Sequence, residues 1–268
     1  MTVRPARLVL LGHPVTHSLS PLFQNAALRA AGIALEYEAV DVAPAGLVEL
    51  AHTLIESNAA GNVTVPHKER FAACCARLTP VAERAGAVNT FWVEDGSLVG
   101  DNTDVGGFEA AVRATVGVPG PGSAVTIIGA GGGARAVLAA VERWEGVTAR
   151  IWARTMSRAE ALAARYPRIA RAEWSAEGAV AGAALVVNAT PVGMHGADLP
   201  VDPALLDEGS TVFDLVYGRR ATPWVLACRG RGLAASDGLP MLLEQGALAF
   251  ERWFGFPPDR NVMREACR

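Results

Sequence analysis

The chain has 268 residues, 51% of them hydrophobic, and a formal net charge of −3. That length suffices for one large domain or two modest ones, and no apolar run reaches the eighteen or so residues that a membrane helix needs. The arginines are scattered without a basic stripe, which argues against a general nucleic-acid binder.

Met1 to Arg7 passes straight into a strand-like run, without the apolar stretch and cleavage site of a signal peptide. Leu8-Val9-Leu10-Leu11 reads as a buried strand stopped by Gly12 and Pro14. Ser18-Leu19-Ser20-Pro21 then predicts a helix start, with Ser20 as N-cap and proline first in the helix, running to Gly32. A strand over Leu35–Val40, a helix around Leu47, Leu50 and Leu54, and a third strand from Gly61 to Val65 follow. Pro66 closes that strand and Lys68 opens the next helix. Strands joined by helices predict parallel pairing. Val88–Val93 and Ser97–Val99 flank Glu94-Asp95-Gly96, a hairpin signal, and a helix from about Val105 to Val116 leads into Gly117–Gly122, the best linker in the chain.

Past that linker the pattern restarts. Val125–Ile128 predicts a strand, Gly129–Ala134 a tight turn and Arg135–Trp144 a helix. Further strands are expected at Ala149–Ala153, Leu185–Asn188, Val212–Val216 and Leu233–Ala235, with a last helix over about Met241–Phe254 folding back onto the first domain. Cys74, Cys75, Cys228 and Cys267 show no C-x-x-C spacing and no His pair beside them, so free thiols in a cytoplasmic protein and no metal site are expected.

Lys68 is the only lysine; the other 23 of the 24 basic residues are arginines. A leftover surface lysine is the bland reading. Arginine, however, cannot give up its proton in a protein whereas an ammonium can, so a lysine that resists replacement points to proton transfer or Schiff-base chemistry. Gly129, Gly131 and Ala134 fit G-x-G-x-x-G/A between a strand and a helix, the pattern that seats a pyrophosphate on helix N-terminal amides. The strand that follows ends in Arg154-Thr155-Met156-Ser157-Arg158 with no acid for the ribose hydroxyls, which favours NADP over NAD through arginine contacts to a 2′-phosphate. Ser18, Ser20, Asn62, Thr64, Lys68, Asn89 and Asp104 fall near strand ends and suit a small polyhydroxylated substrate. Each has a dull alternative, Ser20 and Asp104 as helix caps and Asn89 as a turn former. Beside a dinucleotide site they make hydride transfer at a carbinol carbon the leading reading.

Seven ordered motifs then resemble the shikimate dehydrogenases over essentially the full length. They are His17–Pro21, Asn62–Lys68, Gly86–Thr90, Gly100–Asp104, Gly129–Gly133, Asn188–Met194 and Asp237–Leu242. The resemblance implies an α/β protein of two domains. Residues 1–104 plus 239–268 would form a substrate-binding and catalytic domain with a mostly parallel sheet, and residues 105–238 a Rossmann-type NADP-binding domain. It implies reversible NADPH-linked reduction of 3-dehydroshikimate to shikimate in aromatic amino-acid biosynthesis. Lys68 and Asp104 become the catalytic pair, with Ser18, Ser20, Thr64, Asn89, Tyr217 and Gln245 around the substrate. Gly129, Ala130, Gly131, Gly132, Gly133 and Ala134 form the cofactor loop, Arg154, Thr155 and Arg158 the 2′-phosphate site, and Thr190, Leu215 and Gly238 the nicotinamide end. Ala153 stands where the family usually has Asn, which removes a hydrogen bond to the adenosine ribose. His67 stands where an apolar or aromatic residue is commoner, and is a rival base. Partners other than substrate and NADP, nucleic acid and membrane included, are not expected, and the chain would act as a monomer or homodimer. Quinate or aminoshikimate as substrate, a redox sensor without turnover and a folate-type dehydrogenase are the alternatives; the last would want an aromatic cleft.

Overall fold

In the computed structural model, which describes residues 4–268, the apolar run Leu8–Leu11 is buried within β1 (Arg7–Gly12). After it come α1 (Ser20–Ala30), β2 (Tyr37–Asp41), α2 (Leu47–Glu56), β3 (Ala59–Val63) and α3 (Lys68–Phe71). β1 pairs in parallel with both β2 and β3, as strands joined by helical crossovers must. β1 and β3 approach so closely that a Cβ at Gly61 would lie 1.9 Å from the Val9 carbonyl oxygen. β4 (Arg77–Leu78), α4 (Pro80–Ala85), β5 (Thr90–Glu94) and β6 (Ser97–Asp101) complete a sheet of order β2-β1-β3-β5-β6-β4. Three of its five pairings are parallel. Asp95 and Gly96, at φ 50° and 70°, turn the β5–β6 hairpin, the left-handed pair that a two-residue turn requires. Val9, Leu11, Leu54, Phe71 and Phe91 are the centre of the core beneath this sheet.

α5 (Thr103–Thr115) leads to β7 (Ala124–Ile128), α6 (Gly132–Val141), β8 (Thr148–Trp152), α7 (Met156–Ala164), β9 (Ala170–Ala172) and α8 (Ala176–Val180). Then follow β10 (Leu185–Asn188), β11 (Thr211–Asp214), α9 (Pro223–Gly230) and β12 (Ala235–Ser236). The second sheet runs β12-β11-β10-β7-β8-β9, parallel at every pairing. Numbered from β7, this is the strand order of the doubly wound dinucleotide-binding fold, with its topological switch point between β7 and β10. α10 (Leu239–Phe254) and α11 (Arg260–Ala266) close the chain. α10 packs on α1: a Cβ at Gly246 would meet the Phe23 ring at 2.4 Å, and Gln24 donates to the Gly246 carbonyl at 2.9 Å.

The chain divides into two units, Met1–Gly107 with Leu242–Arg268, and Phe108–Met241. Both divisions fall inside helices, α5 and α10, a few residues past the starts at 105 and 239 read from sequence. Packing explains the first: Gly107 lies against Gln245 of the first unit, while Phe108 meets Phe213 and Trp144 of the second.

Several local expectations are corrected. Ser20 is not the N-cap of α1: Leu19 holds that place in helical conformation, and the Ser18 hydroxyl accepts from the Ser20 N–H at 3.2 Å. The third strand stops at Val63 instead of Val65, because the Val65 carbonyl turns to accept from the His13 N–H. α6 begins at Gly132, not Arg135, since glycines can enter the helix directly from the turn. The strand expected at Leu233–Ala235 is Ala235–Ser236. α11 had no strong apolar period to announce it; Asp259 caps it by accepting from Asn261 and Val262.

A buried carboxylate ties the ends of β10 and β11. Asp214 Oδ1 accepts from Asn188 at 2.8 Å and from the Val216 N–H at 3.0 Å, and Oδ2 from the Thr222 hydroxyl at 2.6 Å. Burial nonetheless raises its pKa, and the like charge of Asp237 adds to the effect, against the pull of these hydrogen bonds.

Gly61→Ala is expected to cost about 3 kcal/mol or more, at the upper end of overpacking in a core, read as a fall in melting temperature or loss of soluble protein. Asp214→Asn is expected to fold and to melt slightly above wild type at neutral pH. The raised carboxyl binds its proton more tightly in the folded state, so its contribution to stability declines as pH rises from the unfolded value through the folded one. Asparagine is free of that penalty, and the gap should close as pH falls towards 4, which is about the unfolded value.

Candidate active site

Pro66 ends the loop after β3, and α3 starts at Lys68, anchored by fully buried Phe71. The Lys68 carbonyl accepts from the Val88 N–H at 2.8 Å, which fixes the residue beside the chain entering β5. Its ammonium donates to Asp104 Oδ2 at 2.6 Å, the two side chains being 16% and 5% exposed. Little water screens such a pair. Asp104 lies in the first turn of α5, the helix end that favours an acid.

Asn89 organises the surroundings of that pair. Its Oδ1 accepts from the Thr103 N–H at 2.7 Å, and its Nδ2 lies 2.8 Å from Asp104 Oδ1, 3.2 Å from Gln245 Oε1 and 3.0 Å from Thr103 Oγ1. Two N–H bonds cannot serve three acceptors. The Thr103 hydroxyl is also 3.1 Å from Asn89 Oδ1 and can donate there, which leaves both amide hydrogens for Asp104 and Gln245. Gln245 in turn donates to the Leu242 carbonyl at 2.7 Å. Lys68, Asp104, Asn89 and Gln245 therefore form one bonded cluster. Asn62 underlies it: its Oδ1 accepts from the Tyr37 hydroxyl at 2.7 Å and its Nδ2 donates to the Asn89 carbonyl at 3.0 Å. That amide is engaged inside the protein and supports Asn89.

Ser18 and Thr64 are half-buried and Ser20 is buried. Thr64 follows β3 directly, its N–H donating to the Leu11 carbonyl at 2.8 Å, so it lies with Ser18 beyond the carboxyl ends of β1 and β3. His67 is fully buried, and its Nε2 is 2.7 Å from the Val42 carbonyl, to which it must donate. That bond commits the ring elsewhere than the Lys68–Asp104 pair. Burial pushes the Cys75 thiol up to about 12 and the Cys228 thiol to about 11, so neither is a ready nucleophile. Among the described residues no His, Cys, Asp and Glu side chains are grouped to hold a metal ion, and no helix is long and apolar enough to cross a membrane.

In the second unit the glycine loop sits at the switch point. Gly129 adopts φ 113°, and a Cβ there would lie 2.9 Å from the Ala189 carbonyl oxygen. Gly131 is the N-cap of α6 without a side-chain cap, and a Cβ added to it would meet nothing within 4 Å. Gly132 and Gly133 start the helix, and Ala130 and Ala134 are buried against it. Bare amides at a helix N-terminus over open space are what a pyrophosphate requires. Thr190 is held by Asn188, whose Oδ1 accepts from its N–H at 3.0 Å and its hydroxyl at 2.7 Å. Gly238 lies so close to Leu215 that a Cβ would meet the Leu215 carbonyl oxygen at 2.3 Å. Tyr217, half-buried after β11, belongs to this unit, whereas Gln245 belongs to the first. Arg154, Thr155 and Arg158 are exposed around the N-terminus of α7, next to half-buried Ala153.

Sequence reading did not assign Thr103, the Asn188–Asp214 pair, or Arg252, which bonds buried Asp101 at 2.8 Å. Thr103 and Asn188 lie within motifs read from the sequence, while Arg252 is one arginine among many.

A family model for the shikimate dehydrogenase substrate binding domain matches residues 10–91, and one for the shikimate 5'-dehydrogenase C-terminal domain matches residues 238–268. The chain is 44% identical to the shikimate dehydrogenase (NADP(+)) of Mesorhizobium japonicum, over 92% of this chain and 90% of that one. It is 42% identical to the enzyme of the same name from Methylocella silvestris, over 96% and 94% of the two chains. The crystal structure of shikimate 5-dehydrogenase from Thermus thermophilus in complex with NADP(H) and shikimate superposes with a TM-score of 0.87, covering 98% of each chain at 40% identity. With the Lys68–Asp104 pair and the glycine loop at the switch point in place, these matches lead to one conclusion: the chain belongs to the shikimate dehydrogenase family.

Proposed function

We propose that this protein is an NADP-dependent shikimate dehydrogenase, reversibly reducing 3-dehydroshikimate to shikimate for aromatic amino-acid biosynthesis. The observation that carries this reading is the 2.6 Å bond between the only lysine of the chain and buried Asp104, joined through Asn89 to Gln245. In the reductive direction Lys68 donates a proton from Nζ to the substrate oxygen as the ketone becomes an alcohol. Asp104 holds the ammonium in line. In the oxidative direction Lys68 accepts the hydroxyl proton. Ser18, Ser20, Thr64, Asn89, Tyr217 and Gln245 bind the ring hydroxyls and carboxylate, with Asn62 supporting Asn89.

NADPH, when bound, supplies the hydride. The amides of Gly131, Gly132 and Gly133 would hold its pyrophosphate, and Arg154, Thr155 and Arg158 its 2′-phosphate; Thr190, Leu215 and Gly238 would line the nicotinamide. We assign substrate binding to residues 1–104 plus 239–268 and cofactor binding to residues 105–238. The protein works in the cytoplasm as a monomer or homodimer, with these two small molecules as its partners and no nucleic acid or membrane. A sensor without turnover would have no use for the Lys68–Asp104 pair.

Turnover of shikimate and quinate with NADP and with NAD, followed by reduced-cofactor absorbance, tests the assignment; shikimate with NADP is expected to give the highest kcat/KM. Arg154→Ala is expected to raise the KM for NADP about tenfold and leave NAD kinetics nearly unchanged; equal losses with both cofactors would refute the 2′-phosphate role. Lys68→Arg keeps the charge and cannot cycle its proton, so kcat should fall about 10²–10⁴-fold with a much smaller change in the dissociation constant for shikimate. Normal turnover by Lys68→Arg would end the proton-transfer assignment.

A further inference from the structure

The segment between β1 and α1 carries Ser18 and leads into Ser20, the first residue of α1; both are proposed substrate ligands, and the segment is tied down by a carboxylate outside the cluster described above. Asp41 is the last residue of β2 and pairs with Gly12, the last residue of β1. Its Oδ1 lies 2.6 Å from His13 Nδ1, and its Oδ2 accepts from the Val15 N–H at 3.2 Å. A carboxylate only accepts, so His13 Nδ1 carries the proton. The two oxygens thus fasten successive points of the segment on its way to Ser18. Val15 is 3% exposed, so its N–H has little access to water as a substitute partner. The Ser18 N–H then donates to the Val15 carbonyl at 3.1 Å, and the Ser18 hydroxyl accepts from the Ser20 N–H. An unbroken chain of bonds leads from Asp41 through Val15 to both serines.

We propose that Asp41, with His13, is a positioning residue for substrate: it holds the Val15–Ser20 segment in the conformation that presents Ser18 and Ser20 to shikimate. This rests on the function proposed above. The His13 bond holds the Asp41 carboxyl below its ordinary range, and the imidazole of His67 acts in the same direction; these are the titratable groups that act on it. The carboxylate form, which serves both donors at once, therefore persists into mild acid.

Asparagine separates positioning from a merely structural role. In Asp41→Asn the single oxygen can accept from Val15 while the amide N–H donates to a neutral His13 Nδ1 of the other tautomer, so both ties survive. An imidazolium carries N–H on both nitrogens and cannot accept, so acidification costs this variant one tie and leaves the wild type intact. In reduction of 3-dehydroshikimate, Asp41→Ala should raise KM about 5–20-fold, as loss of charge-assisted bonds at a partly exposed site allows. Its kcat and its KM for NADPH should stay within about twofold of wild type. Relative to wild type, Asp41→Asn should behave normally at about pH 8 and resemble Asp41→Ala at about pH 5.5. Hydrogen exchange of the Val15 amide in the ligand-free protein should be faster in Asp41→Ala. Faster exchange with an unchanged substrate KM would overturn the proposal, as would an Asn variant that differs from wild type equally at both pH values. A wild type that does not reduce 3-dehydroshikimate would overturn the functional reading itself, and the exchange measurement identifies that outcome separately.

Discussion

A buried amide with every bond it can give already committed is the constraint on which the first unit depends. Asn89 is 2% exposed, and its side chain must satisfy Thr103, Asp104 and Gln245 at once. In so small a space each unmade bond would cost on the order of 1–3 kcal/mol. The start of α5, the carboxylate of Asp104 and a turn of α10 are therefore locked to one another. Lys68 then has one partner in one place. The ion pair is a consequence of the amide network as much as of its own attraction, and breaking the network would leave a buried charge short of partners.

The second unit solves a similar problem with a carboxylate. Asp214 gathers Asn188, Val216 and Thr222 and fixes the ends of β10 and β11, next to the switch point between β7 and β10 where a doubly wound sheet leaves its crevice. Asn188 passes that order on to Thr190. Glycine takes over where backbones come too near for any side chain, at Gly129 against Ala189 and at Gly238 against Leu215. The unit accepts a costly buried acid at one strand end and close backbone approaches at two glycines.

The two halves are built to different rules. The second sheet is parallel throughout, whereas in the first the antiparallel hairpin of β5 and β6 is inserted between β3 and β4. The hairpin returns the chain along β5, Asp101 opposite Thr90, so that Asp104 arrives beside Asn89.

The sequence by itself determined the alternation of strands and helices, the glycine loop, the lone lysine and the order of the motifs, because these depend on residue type and short-range spacing. Leu185–Asn188 was legible to the residue, since an apolar strand bounded by polar turns has no competing reading. Ends of elements were less legible: whether Ser20 caps α1 or begins it depends on the bond its N–H gives to the Ser18 hydroxyl, a choice among conformations of nearly equal local cost. Only the tertiary structure decided the partners. That Asn62 turns to Tyr37 and Asn89, that His67 is spent on Val42, and that Arg252 answers Asp101 across 151 positions of chain are outcomes of how sheets and helices stack. A buried polar group must bond whatever the fold brings within reach, and that neighbour is not written beside it in the chain.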